Sequence, residues 1–90
     1  MITRAEAELG TEYAAPVTET QRRLTLLWAD RLGIEPVGIE DDFFELGGDS
    51  MAAAELQLAL EAGFGVEVAA AALFREPTIA RLAALIDSRR

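Results

Sequence analysis

The stretch that decides the fold is Gly47-Gly48-Asp49-Ser50-Met51-Ala52-Ala53-Ala54-Glu55-Leu56-Gln57-Leu58-Ala59-Leu60-Glu61-Ala62. Two glycines let the backbone turn sharply and leave the next side chain uncrowded. Asp49 is a good N-cap, and Met51 to Ala62 contains Ala, Leu, Glu and Gln with no breaker. A helix therefore begins at Asp49 or Ser50. Gly63 and Gly65 are expected to end it, with Phe64 folding back onto the core. Ala53, Leu56 and Leu60 make one apolar stripe, and Met51, Ala54 and Leu58 make a second.

Upstream lies a long connection, residues 33–48, punctuated by Gly33, Pro36, Gly38, Gly47 and Gly48. A loop of this length in a small domain needs anchoring or a function, and both are expected. Asp41-Asp42-Phe43-Phe44-Glu45-Leu46 fits one helical turn capped by an aspartate. Two adjacent Phe residues cannot face the same way, so one of them is expected to tie the loop to the core. Before the loop, Thr18 and Gln21 have capping-box spacing and Glu19 suits the positive end of a helix dipole. Leu24, Leu27, Trp28 and Leu32 recur at helical spacing up to Gly33, which gives a first helix of about Glu19 to Leu32. Residues 1–15 show no long periodic pattern. A short helix over Thr3 to Leu9 fits, but the segment reads as a flexible lead-in to a domain spanning 16–90.

Downstream, Val66-Glu67-Val68 alternates briefly without a partner strand, and Ala69 to Phe74 suits a short third helix. Pro77 stops it and Thr78 can cap a fourth, whose Ile79, Leu82, Ala83 and Ile86 face inward, with Arg89-Arg90 at its C-terminal dipole. The expected fold is all-α, a four-helix bundle with a long first loop and a short third helix. Leu24, Leu27, Trp28, Leu56, Leu60, Leu82 and Ile86 are expected to be buried.

Composition narrows the function. Ninety residues make one domain, and 51% hydrophobic with 27% charged residues is a globular balance. Apolar runs such as Val68 to Phe74 fall far short of the roughly 20 residues a membrane span needs. The N-terminus lacks the apolar core and basic start of a signal peptide, so the chain reads as soluble and cytoplasmic; a monomer is expected. It has no His, Cys or Lys. That removes the usual general base, the thiol nucleophile, the Schiff-base amine, the P-loop lysine and thiolate metal sites. Carboxylate pairs remain, but so small a bundle offers little cleft in which to tune them, and the chain reads as a non-enzyme. A net charge of −8 argues against nucleic acid and suits basic protein partners as well as plain solubility.

The chemistry converges on Ser50. At a helix N-terminus, unpaired N–H groups and the dipole favour an attached phosphate, and the position stays exposed for a partner enzyme. Gly-Gly-Asp-Ser before a helix is by itself a weak signal, since it also describes an ordinary capped start.

Context sharpens it. Asp42-Phe43-Phe44-Glu45-Leu46-Gly47-Gly48-Asp49-Ser50 closely resembles the core motif of peptidyl carrier (thiolation) domains of nonribosomal peptide synthetases. Ala15-Pro16-Val17-Thr18-Glu19-Thr20, Trp28-Ala29 and Leu32-Gly33 are similar to that family's first helix. Leu73-Phe74-Arg75-Glu76-Pro77-Thr78-Ile79 with Leu82-Ala83 is similar to its third and fourth helices. The resemblance covers residues 15–86, in order and at family-like spacing. It implies 4′-phosphopantetheine from coenzyme A on Ser50, and an aminoacyl or peptidyl group thioesterified to the terminal thiol. It also implies partners: a phosphopantetheinyl transferase, an adenylating or loading enzyme, and condensation or other tailoring enzymes. Asp49, Met51 and Leu73 are the docking residues it suggests around the site.

Asp49 stands where many peptidyl carriers have His and is typical of fatty-acid and polyketide carriers. Glu55-Leu56, Ala59-Leu60-Glu61 and Phe64 are also similar to an acyl carrier's second helix. An acyl carrier is therefore the alternative, and the doubled glycine and paired Phe favour the peptidyl branch. A non-catalytic helical interaction module is a second alternative. The lead-in does not resemble the tail of an adenylation domain, which favours a free-standing carrier.

Overall fold

The capping box read at Thr18 is formed in the computed structural model, which describes residues 1–89. Thr18 Oγ1 accepts the Gln21 N–H at 3.1 Å, and Gln21 Oε1 accepts the Thr18 N–H at 3.3 Å. In chain order the elements are β1 (Ile2–Thr3), α1 (Arg4–Ala7), α2 (Glu19–Leu32), β2 (Ile34–Glu35), α3 (Ser50–Phe64), α4 (Ala72–Arg75) and α5 (Ile79–Ser88). The protein is the expected helical bundle: α2, α3 and α5 are its long members, α4 is the short third helix, and α1 adds one turn before them.

Two boundaries and one pair of elements differ from the sequence reading. Gly63 lies inside α3, which runs on to Phe64 and closes only at Gly65, with φ at 68°. One glycine costs a helix about 1 kcal/mol. Here Arg23 of α2 donates to the Gly63 carbonyl and lays its guanidinium 4.1 Å from the Phe64 ring centre. The short helix begins at Ala72, three residues late, with Ala69 to Ala71 forming a turn into it. And strands do occur: β1 pairs in parallel with β2, Ile2 opposite Ile34 and Thr3 opposite Glu35. Two residues are too few to display a period of two, so no alternation announces them.

The core is built where α2 packs on α5 and α3 leans against α2. Leu24, Trp28, Leu56, Leu60, Leu82 and Ile86 are fully buried, as their spacing requires. Leu27 is not; it lies one step off the Leu24–Trp28 line and stays half-buried beside Arg23, Ala59 and Phe64. Thr20 Oγ1 donates to Asp87 at 2.6 Å and ties the start of α2 to the end of α5. The Arg89 side chain donates to the Glu67 carbonyl, while Arg90 lies outside the described residues. The lead-in packs on the domain: the Ile2 N–H donates to Gly33 and the Ile39 N–H to Ala14, at 2.8 and 2.9 Å.

Candidate functional site at the start of the third helix

Ser50 is the first residue of α3 and is exposed. Its position is set by the loop before it. Asp42 Oδ1 accepts the N–H groups of Phe44 and Glu45 at 2.8 and 3.2 Å, capping the single turn expected there. The Phe43 N–H donates to the Pro77 carbonyl at 2.8 Å, pinning that turn to the entrance of α5. Of the two Phe residues, Phe43 is the anchor: it is fully buried, edge-on to Trp28 with ring centres 5.2 Å apart at 72°.

The two glycines serve different ends. Gly47 has φ at 100°, a conformation L side chains rarely adopt. Gly48 sits against Phe43, and a Cβ there would stand 2.3 Å from Cε2 and 2.7 Å from the Phe43 carbonyl oxygen. That oxygen accepts the Gly48 N–H at 3.0 Å. Asp49 is then the N-cap, its carboxylate accepting the Ala52 N–H at 2.9 Å while its carbonyl takes that of Ala53. The N–H groups of Ser50 and Met51 have no acceptor among the described residues, so the first turn keeps two donors beside the Ser50 hydroxyl. Ser88, the other serine, instead donates its hydroxyl to the Leu85 carbonyl at 2.7 Å.

The second stripe of α3 faces outward. Met51 is 72% exposed, Ala54 is exposed, and Leu58 is 68% exposed. Met51 therefore does not pack beneath the loop. Leu73, expected at the surface, is only 1% exposed and belongs to the core. The exposed residue of α4 is its neighbour Phe74, 58% exposed and stacked on Phe44 with ring centres 4.9 Å apart. Sequence reasoning missed Phe74 because a four-residue helix carries no readable phase. Glu45, Asp49 and Glu55 are exposed along this segment, which makes its surface acidic. No cluster of metal-ligating side chains occurs among the described residues.

An exposed hydroxyl on a glycine turn, beside two N–H donors with no acceptor among the described residues, is a place where a partner can attach a phosphate-linked group. The chain belongs to the family described as the phosphopantetheine attachment site, which it matches over residues 22–86, and within it to the peptidyl carrier domains. Tyrocidine synthase 3 of Brevibacillus parabrevis is 44% identical over 78 residues, covering 87% of this chain and 1% of that protein. Surfactin synthase subunit 1 of Bacillus subtilis (strain 168) is 40% identical over 84 residues, covering 93% and 2%. The chain thus spans only 1% and 2% of the lengths of these two relatives. Among solved structures, the complex of the phosphopantetheine transferase Sfp with coenzyme A and a peptidyl carrier protein gives a TM-score of 0.83 at 32% identity, covering 86% of this chain and 100% of that one. The solution structure of an active-site mutant peptidyl carrier protein gives 0.83 at 30%, covering 88% of each.

Proposed function

We propose that Ser50 takes the 4′-phosphopantetheine and that the chain carries an aminoacyl or peptidyl group for nonribosomal peptide biosynthesis. The observation that carries this is the Ser50 hydroxyl itself, exposed on the first turn of α3 beside the unbonded N–H groups of Ser50 and Met51. Once attached, the group supplies the thiol that this Cys-free chain lacks, on which cargo is held as a thioester. The chain's own residues fix the serine and offer the two N–H donors to the phosphodiester. The chain has no His, Cys or Lys to act as base, so the transferase accepts the serine proton as the Ser50 O–P bond forms, the pyrophosphate P–O bond of coenzyme A breaks and its nucleotide half leaves.

The carrier unit is residues 16–90 with 1–15 as its lead-in, monomeric, cytoplasmic and not itself an enzyme. Its partners are a phosphopantetheinyl transferase, an adenylating enzyme, and condensation or tailoring enzymes. Asp49 and Met51, with Leu58 and Phe74 added and Leu73 withdrawn, form the face they meet. The test is incubation with coenzyme A and a transferase, read by intact mass. Ser88→Ala gains one phosphopantetheine and Ser50→Ala gains none. A normally modified Ser50→Ala protein sinks the assignment.

A further inference from the structure

Arg4 opens α1, far from Ser50 in sequence, yet it is 12% exposed against an Asp41 that is 2% exposed. Its guanidinium grips the Asp41 carboxylate with two prongs, Nη2 to Oδ1 at 2.8 Å and Nη1 to Oδ2. Nη2 also donates to the Thr11 carbonyl at 2.7 Å and Nη1 to the Pro36 carbonyl at 3.4 Å. The same group lies 5.4 Å from the Tyr13 ring centre. Asp41 Oδ2 accepts the Gly38 N–H at 2.8 Å as well. Gly38 admits the lead-in, since a Cβ there would meet Ala14 N at 3.1 Å and Tyr13 Cδ1 at 3.3 Å. One buried carboxylate thus joins the lead-in to the loop. The pKa of Arg4 is raised by the hydrogen bond to Asp41, which outweighs burial. Forked pairs of this kind fix geometry as well as adding energy.

Asp41 is followed at once by the groups that build the serine turn. Asp42 caps the turn, Phe43 is bonded to Pro77, and the Phe43 ring and carbonyl fix Gly48, two residues before Ser50. A displacement of Asp41 reaches the serine turn through two residues of backbone and one buried ring.

We propose that Arg4 is a positioning residue for the modification of Ser50, acting through Asp41 and Phe43 without touching the serine. This rests on Ser50 as the attachment residue. The exposed face of α3 is untouched by Arg4, so its loss weakens turnover and leaves recognition intact.

The test uses the full chain with coenzyme A and a transferase, at a temperature where circular dichroism shows each variant folded. Arg4→Ala lowers kcat about three- to tenfold with KM unchanged, because a misplaced reacting group costs rate even when binding survives; 1 Å is worth up to about 10²-fold. Arg4→Lys recovers part of the loss, since an ammonium reaches one carboxylate oxygen but not the fork. In unmodified protein, exchange of the Gly48 amide, bonded to Phe43, speeds up in Arg4→Ala. Wild-type kcat, or unchanged Gly48 exchange, overturns the proposal; so does a loss carried wholly by KM. If Arg4→Ala does not fold, Asp41→Asn, which keeps an acceptor for Gly38, takes its place with the same expected and overturning results. If Ser88 rather than Ser50 takes the group, the attachment reading fails, while Gly48 exchange still decides whether Arg4 holds the turn.

Discussion

Gly48→Ala tests whether the serine turn is held by contact rather than by mere glycine freedom. A methyl there would stand 2.3 and 2.5 Å from two Phe43 ring carbons and 2.7 Å from the Phe43 carbonyl oxygen. The ring has nowhere to go: it is fully buried between Trp28 and Phe44, each with ring centres 5.2 Å away. Overpacking a filled site costs about 1–3 kcal/mol. Stiffening the unfolded chain by Gly→Ala returns about 0.4–1 kcal/mol, so a net loss of about 1–2 kcal/mol is expected. Each kcal/mol lowers the melting temperature of a domain this size by about 4–8 °C. Gly63→Ala is the internal control, because its methyl would meet only Arg23 Nη2, at 3.8 Å within α3, and should stabilise by about 0.5–1 kcal/mol. Urea unfolding followed by Trp28 fluorescence measures both. Phe43→Leu should make Gly48→Ala less costly than in the parent, since a smaller side chain yields. A neutral Gly48→Ala, or costs that simply add in the double variant, refutes the contact argument.

The remaining predictions concern the surface and the core. Met51→Ala should leave stability within about 0.5 kcal/mol, because the side chain is largely exposed, while slowing transferase or loading kinetics; a clear drop in melting temperature would contradict its exposed placement. Leu73→Ala should cost about 2–5 kcal/mol in denaturant unfolding, and Phe74→Ala about 1 kcal/mol or less with slower partner turnover. Trp28, fully buried, should emit at short wavelength and resist aqueous quenchers in the folded state; a solvent-like spectrum would contradict the packing.

How legible the chain was depended on how local each feature is. The boundaries of α2 and α5 were readable because their caps lie within the helices' own first turns: Thr18 holds Gln21 and Thr78 holds Arg81. The serine turn was readable as glycines followed by an N-cap. The reason for Gly48 was not, since it depends on where the Phe43 ring lies. Arg4 and Asp41 carry no mutual signal in sequence, because their pairing is a product of tertiary approach, and with it went the packed lead-in and the β1–β2 pair. Gly63 misled for a related reason: the partner that steadies the helix around it, Arg23, comes from α2.

The two stripes of α3 show how a symmetric pattern acquires a direction. Ala53, Leu56 and Leu60 on one side and Met51, Ala54 and Leu58 on the other are equally apolar at helical spacing. Yet the first set is fully buried and the second exposed. A helix at the margin of a small bundle has neighbours on one side only, and here those neighbours fill one stripe. A core-forming stripe left outside would normally be trimmed to polar residues for solubility, since exposed apolar surface promotes association. This one stands in a chain of net charge −8, begins at the residue after the candidate serine, and has exposed Asp49 and Glu55 beside it. Apolar contact area framed by acid fits the proposed carrier role, in which this face would meet several partner enzymes in turn and leave each of them. A flexible methionine nearest the serine, in place of a rigid aromatic, fits that succession of partners.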